Sequence, residues 1–109
     1  MFTILVCGGR DYTDRARVNN ALTDLCDKKG LWGQYQVNLD LRPASGLRVV
    51  TGAARGADTF ALEWAMMNGA SFKGYPPEYD KYPSYSAPVI RNQQMLDEES
   101  VNLVILWRI

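Results

Sequence analysis

Thr51-Gly-Ala-Ala-Arg-Gly-Ala-Asp58 is preceded by the apolar run Leu47 to Val50 and followed by a helical pattern, so it reads as strand, glycine turn and helix. Gly52 and Gly56 lack a Cβ, which lets the backbone take positive φ and lie close to a ligand. The free N–H groups opening the next helix point into the turn. That geometry suits an anion, usually a phosphate, although such a bend also serves simply to reverse a chain. The same device occurs earlier: Cys7-Gly-Gly-Arg-Asp11 follows the apolar run Phe2 to Val6 and precedes another helical pattern. In a parallel α/β sheet such strand ends lie side by side at one edge, where doubly wound folds bind ligands. The two turns are therefore expected to face one ligand.

Outward from these turns the periodicity continues. Phe2 to Cys7 is almost uninterrupted in apolar character, as in a central strand covered on both faces. Thr13 or Asp14 can cap the helix that follows, Val18, Leu22, Leu25 and Cys26 fall on one stripe of it, and Gly30 is a plausible stop. Arg15, Arg17, Asp24 and Lys28 fall elsewhere and should be solvated. Between residues 31 and 46 the pattern is least legible. Tyr35, Val37, Leu39 and Leu41 alternate with polar residues, which allows a half-exposed strand or hairpin arm. After the second glycine turn, Ala57, Ala61, Trp64 and Ala65 make a small-residue face with one large anchor, suited to packing on a sheet, and Asn68-Gly69 ends the helix. Asp58 lies in the first turn of that helix, where capping of N–H groups is an alternative to ligand contact. Ala70 to Tyr75 reads as a third strand stopped by Pro76-Pro77. In the loop beyond, Tyr79, Tyr82 and Tyr85 can stack on a base or cover the core edge. Ser84 or Ser86 can cap a third helix with Pro88 in its first turn. Arg91 near that start can meet a phosphate bidentately, with Asn92 on a ribose or base, or Arg91 can be an ordinary surface arginine. Val101 to Trp107 is a fourth strand.

The chain of 109 residues suits one domain, and its 47% apolar share is ordinary for a globular protein. Twelve basic and twelve acidic side chains cancel, so no overall field holds a nucleic-acid backbone. Cys7 and Cys26 sit in apolar segments with no metal or redox spacing, which fits a reducing cytoplasm. No apolar run approaches the roughly 18 residues of a membrane span, and Met1 to Val6 is too short for a signal sequence. Without a histidine, no Ser/His/Asp, Cys/His or metal cluster can be assembled. Asp11, Asp58 and Glu63 are the acids near the expected site, and Glu63, about one to two turns along its helix, is expected to face away.

Four stretches together carry a resemblance: Val6-Cys-Gly-Gly-Arg-Asp-Tyr12; Gly52-Ala-Ala-Arg-Gly-Ala-Asp58 with Glu63-Trp-Ala65; Pro76 to Tyr79; and Ile90-Arg-Asn-Gln-Gln-Met-Leu-Asp97. In this order they resemble the SLOG superfamily, most closely its YspA-like branch related to YpsA proteins, over nearly the whole chain except residues 31–46. The second stretch and Arg91-Asn92 are also similar to DNA-processing protein A. The resemblance implies a Rossmann-like domain that binds nucleotides or their derivatives, including NAD-derived and ADP-ribose-like molecules, often as a sensor. Some relatives are phosphoribohydrolases. Carried over, Gly8, Gly9, Arg10, Gly52, Gly56, Asp58, Arg91 and Asn92 would line the pocket. Asp11, Ala53, Arg55 and Tyr79, the last standing where this branch usually has tryptophan, complete the candidate set. The family's Gly-Gly-x-Gly-Thr signature, which in hydrolase relatives carries a glutamate assigned to catalysis, is not found after the fourth strand, so the chain reads as a truncated member.

These readings converge on a three-layer Rossmann-like α/β domain with a mostly parallel sheet of order 3-2-1-4. The expected function is non-catalytic binding or sensing of a nucleotide-derived small molecule, without cofactor or metal. A nucleoside-monophosphate phosphoribohydrolase, with Asp11 or Asp58 replacing the glutamate, is the enzyme alternative. A single-stranded nucleic-acid module is a third reading, opposed by the neutral charge. An uncovered sheet edge predicts a homo-oligomer that uses Trp107 and residues 31–46, unless Trp107 packs under its own chain. A phage or mobile element is the expected source.

Overall fold

The computed structural model describes residues 1–107. Four strands, β1 (Phe2–Gly8), β2 (Leu47–Thr51), β3 (Ser71–Gly74) and β4 (Leu103–Trp107), form one sheet in the order β3-β2-β1-β4, with every pairing parallel. Phe2 stands opposite Leu47, and Ile4 opposite Leu103, so the Phe2 to Cys7 run read as a central strand lies inside the sheet, flanked by β2 and β4. Helices α1 (Arg15–Lys29), α2 (Ala57–Met67) and α3 (Ala87–Glu98) provide the crossovers that parallel strands require.

Side chains alternate across the pleat and so feed two cores. Ile4, Val6, Leu47 and Val49 pack with Val18, Leu22 and Cys26 of α1 and Ala57, Ala61, Trp64 and Ala65 of α2. Leu5 and Val50 point the other way and meet Tyr75 and Met95. The sheet is thus the middle layer, with α1 and α2 on one face and α3 on the other. Asp14 caps α1 by accepting the Arg17 N–H at 3.1 Å, and Gly30 ends it in the left-handed region with its N–H on the Cys26 carbonyl. Ser86 occupies the cap position of α3, but its hydroxyl donates to the Pro83 carbonyl at 3.1 Å and does not serve the helix N–H groups.

Residues 31–46 depart from the strand expectation. Their alternation shrinks to one antiparallel bridge, Gln36 with Leu41, closed by a 3-10 turn at Val37–Leu39. The ends of the segment explain this. Trp32 packs against Trp64 with centroids 6.2 Å apart, and buried Ala44 donates its N–H to the Asn68 carbonyl at 2.7 Å. Pinned at both ends to the α1/α2 layer, the middle has no sheet edge to join. At the other side of the sheet, Asn102 exchanges two hydrogen bonds with the Thr3 backbone, each 2.8 Å, and sets the register of β4. Among the described residues no helix is long and apolar enough to cross a membrane.

Candidate functional site

Because the strands are parallel, the ends of β1 and β2 bring both glycine turns to one edge, and the turns interlock. A Cβ on Gly8 would lie 2.6 Å from the Ala57 Cβ, so the end of β1 abuts the first turn of α2 only because Gly8 has none. Gly56, at φ +81°, faces the first turn, and a Cβ there would come within 2.5 Å of the Gly9 carbonyl oxygen. Gly9 itself has open space where a side chain would project. It donates its N–H to the Trp107 carbonyl at 3.3 Å, which ties the turn to β4.

Within the second turn, Ala53 holds a left-handed φ of +57°, a conformation that costs a non-glycine residue about 1–3 kcal/mol. The buried Thr51 hydroxyl accepts the Ala53 N–H at 3.0 Å. Asp58 Oδ2 accepts the Ala54 N–H at 3.3 Å, and the Thr59 hydroxyl donates to the Ala54 carbonyl at 2.9 Å. The first turn of α2 therefore grips the loop that precedes it. Only 4% of Asp58 is exposed. Burial pushes its carboxyl upward, opposed by the Ala54 amide, Arg91 and the Gly52 amide. Its Oδ1 is buried without a partner. Burial likewise raises the Cys7 thiol, with Asp58 acting in the same sense and Arg91 against it.

Between the turns and α3 lies a cleft of about 490 Å³. Gly8, Gly9 and Arg10 line it from the first turn, Ala53, Ala54 and Arg55 from the second, Pro77 and Tyr79 from the loop after β3, and Pro88 and Arg91 from α3. Among the described residues no carboxylate is in this lining. Arg10 and Arg55 are exposed and, among the described residues, hold no ion pair. A chain of zero net charge therefore concentrates positive charge at one place. Arg91 differs: its Nη1 donates to the Gly52 carbonyl at 2.6 Å and its Nε to Asn92 Oδ1 at 2.8 Å. Another hollow, of about 380 Å³ on the outer flank of α3, is lined by Glu78, Asp97 and Glu98 with Lys81 as its one cation among the described residues, already paired with Glu78, so acids outnumber bases there.

Seven expected residues, Gly8, Gly9, Arg10, Ala53, Arg55, Tyr79 and Arg91, line the cleft. Gly52, Gly56 and Asp58 lie behind its wall as packing and latching groups, and Asp11 and Asn92 stand outside the lining. Glu63 faces away and pairs with Arg15. Ala54, Pro77 and Pro88 are the lining residues that sequence reasoning missed. Ala54 sits inside the organising stretch and Pro77 inside the Pro76 to Tyr79 motif, whereas nothing in the sequence marks Pro88 beyond its place at a helix start. Among the described residues no group of His, Cys, Asp or Glu is arranged to hold a metal ion.

No curated protein and no solved structure matches the chain. The profile of one family, described as the YspA, cpYpsA-related SLOG family (YAcAr), matches residues 2–82. That span holds both interlocked turns and the Pro77–Tyr79 wall of the cleft, though not α3 or β4. By this match over most of its length, the chain belongs to the YspA, cpYpsA-related SLOG family.

Proposed function

We propose that the cleft binds a phosphate-bearing nucleotide derivative, such as an NAD-derived or ADP-ribose-like molecule, and that the domain acts as a non-catalytic binding or sensing module. The observation that carries this reading is the pair Arg10 and Arg55, one from each glycine turn, exposed and, among the described residues, without ion-pair partners in a cleft whose described lining holds no carboxylate. Guanidinium groups match phosphate oxygens bidentately. Exposed Tyr79, with Pro77 and Pro88 in the same lining, offers an apolar wall for a base. Membership of a SLOG family supports a nucleotide-related role. The non-catalytic part rests on the acids: Asp58 is buried behind the wall, Asp11 lies outside the lining, and Glu63 is paired on the outer surface. None is placed for proton transfer in the cleft.

Thermal denaturation with AMP, ADP, NAD, ADP-ribose and cyclic ADP-ribose variants tests this. At ten times its Kd, a ligand adds about 1.4 kcal/mol, which raises the midpoint of a domain this size by roughly 6 °C. Arg10→Ala and Arg55→Ala should each reduce that rise while leaving the ligand-free midpoint unchanged. Absence of a shift with every compound would sink the reading. Free base released from the nucleotides would replace it with the hydrolase alternative.

A further inference from the structure

Gly52 belongs to the turn that the sequence marks for a ligand, yet the space left by its missing side chain is already filled. A Cβ there would lie 2.7 Å from Arg91 Cζ and closer still to Nη1. The Arg91 guanidinium lies across the Gly52 backbone, with Nη1 donating to the Gly52 carbonyl at 2.6 Å and, more weakly, to the Tyr75 carbonyl at 3.4 Å. Those carbonyls belong to the residues that immediately follow β2 and β3 respectively, and Asn92 Oδ1 steadies the guanidinium from α3. Gly52 is not in the left-handed region, so its backbone does not itself demand glycine.

We infer that Arg91 is a positioning residue: it clamps the ends of β2 and β3 to α3, and Gly52 is glycine to admit its guanidinium. The clamp fixes the residue before Ala53 and thereby holds the Ala53–Arg55 wall of the cleft. This inference rests on the proposed function only where it speaks of ligand. There, direct anion contacts fall to Arg10 and Arg55, while Arg91, with Nη1 on the two carbonyls and Nε on Asn92, shapes the wall they sit in.

The test is a double-mutant cycle on the ligand-free protein, with a binding arm beside it. Gly52→Ala forces the guanidinium out, and its midpoint should fall by about 5 °C or more, a loss of roughly 1 kcal/mol at this size. In an Arg91→Ala background the vacated space accepts the methyl group, so adding Gly52→Ala there should cost little or restore some stability. Strong non-additivity of this kind is expected only for groups in contact. Equal losses in both backgrounds overturn the inference. If Gly52→Ala is too unstable to purify, Gly52→Ala with Arg91→Ala is compared with Arg91→Ala alone, and a further loss of about 5 °C again overturns it. In the binding arm the probe is inorganic diphosphate, and affinity is followed against salt. Arg55→Gln should flatten the salt dependence. Arg91→Gln, which keeps an N–H for the Gly52 carbonyl, should retain the wild-type slope and more affinity than Arg91→Ala. An Arg91→Gln slope as flat as that of Arg55→Gln would make Arg91 a direct anion ligand and overturn the inference. Should wild type bind neither diphosphate nor any nucleotide, the proposed function fails and the cycle alone decides the clamp.

Discussion

Two glycines of the site differ in what a methyl group would do to them. At Gly56 a Cβ meets the Gly9 carbonyl at 2.5 Å and the backbone sits at φ +81°, so Gly56→Ala adds strain to a clash. A loss of about 2–4 kcal/mol is expected, read as a lower denaturant midpoint. At Gly9 there is open space and no left-handed φ, so Gly9→Ala should change stability by less than about 0.5 kcal/mol. Its methyl group would, however, stand in the cleft and weaken binding of any ligand seated there. A stable Gly56→Ala protein would show that the turns do not interlock as described. The contrast also marks what the residue types could and could not convey. Both turns were legible as glycine turns, because apolar runs lead into them and helical periodicity follows. What fills each missing Cβ was not, since the answer at Gly52 lies 39 residues away in Arg91.

Helix α3 is held differently from α1 and α2. It buries only Ala87 and Met95 and leaves Val89 and Leu96 well exposed, so apolar packing alone ties it weakly to the sheet. Polar contacts anchor it at both ends. Near its start Arg91 reaches the ends of β2 and β3, and at its C-cap Glu99 accepts both Nε (2.7 Å) and Nη2 (3.0 Å) of Arg48 and the Tyr75 hydroxyl (2.7 Å). Arg48 also donates to Ser71, so the network spans β2, β3 and the helix end. The bond from Arg48, helped by Tyr75, holds the Glu99 carboxyl below its ordinary range despite burial. For a carboxyl lowered by folding, the stabilisation is present above the unfolded value, about pH 4.3, and disappears as pH falls through the folded value. Glu99→Gln should therefore be less stable than wild type near pH 7, with the gap closing below about pH 4. A gap independent of pH would remove the ion pair from the account. Elements whose burial follows from their own periodicity, such as β1 and α2, were legible in the sequence. Residues 31–46 were not, because Trp32 and Ala44 anchor them to another layer and local alternation had no sheet to serve.

At the scale of the whole molecule, an all-parallel sheet gathers every strand end at the cleft edge and leaves β3 and β4 as its outer strands. Partner residues in parallel strands share a face, so β4 can be divided by its register. Ile105 and Trp107 stand beside Val6 and Gly8 on the α1/α2 side, and Val104 and Leu106 stand beside Leu5 and Cys7 on the α3 side. The two sides are treated unequally. Trp107 is 7% exposed and its ring lies 6.4 Å from Tyr12 in the main core, whereas Val104 and Leu106 are about half exposed. Trp107 is thus a core residue of its own chain, and the expected use of its side chain as an interface element gives way to this packing. The apolar side chains that β4 leaves most open to a second copy are those of the Val104 and Leu106 face. Trp107→Asp removes a large buried ring and buries a charge, a loss of about 4 kcal/mol or more, comparable with the whole stability of a small domain, roughly 5–15 kcal/mol. It should be largely unfolded by circular dichroism, while Leu106→Lys should melt within about 0.5 kcal/mol of wild type. Sedimentation of Leu106→Lys beside wild type then reads association without confounding it with folding. Slower sedimentation of the variant places copies on that face, and a monomeric wild type at micromolar concentration refutes the oligomer. A folded Trp107→Asp with an unchanged melt would contradict the burial of Trp107 and return it to the surface.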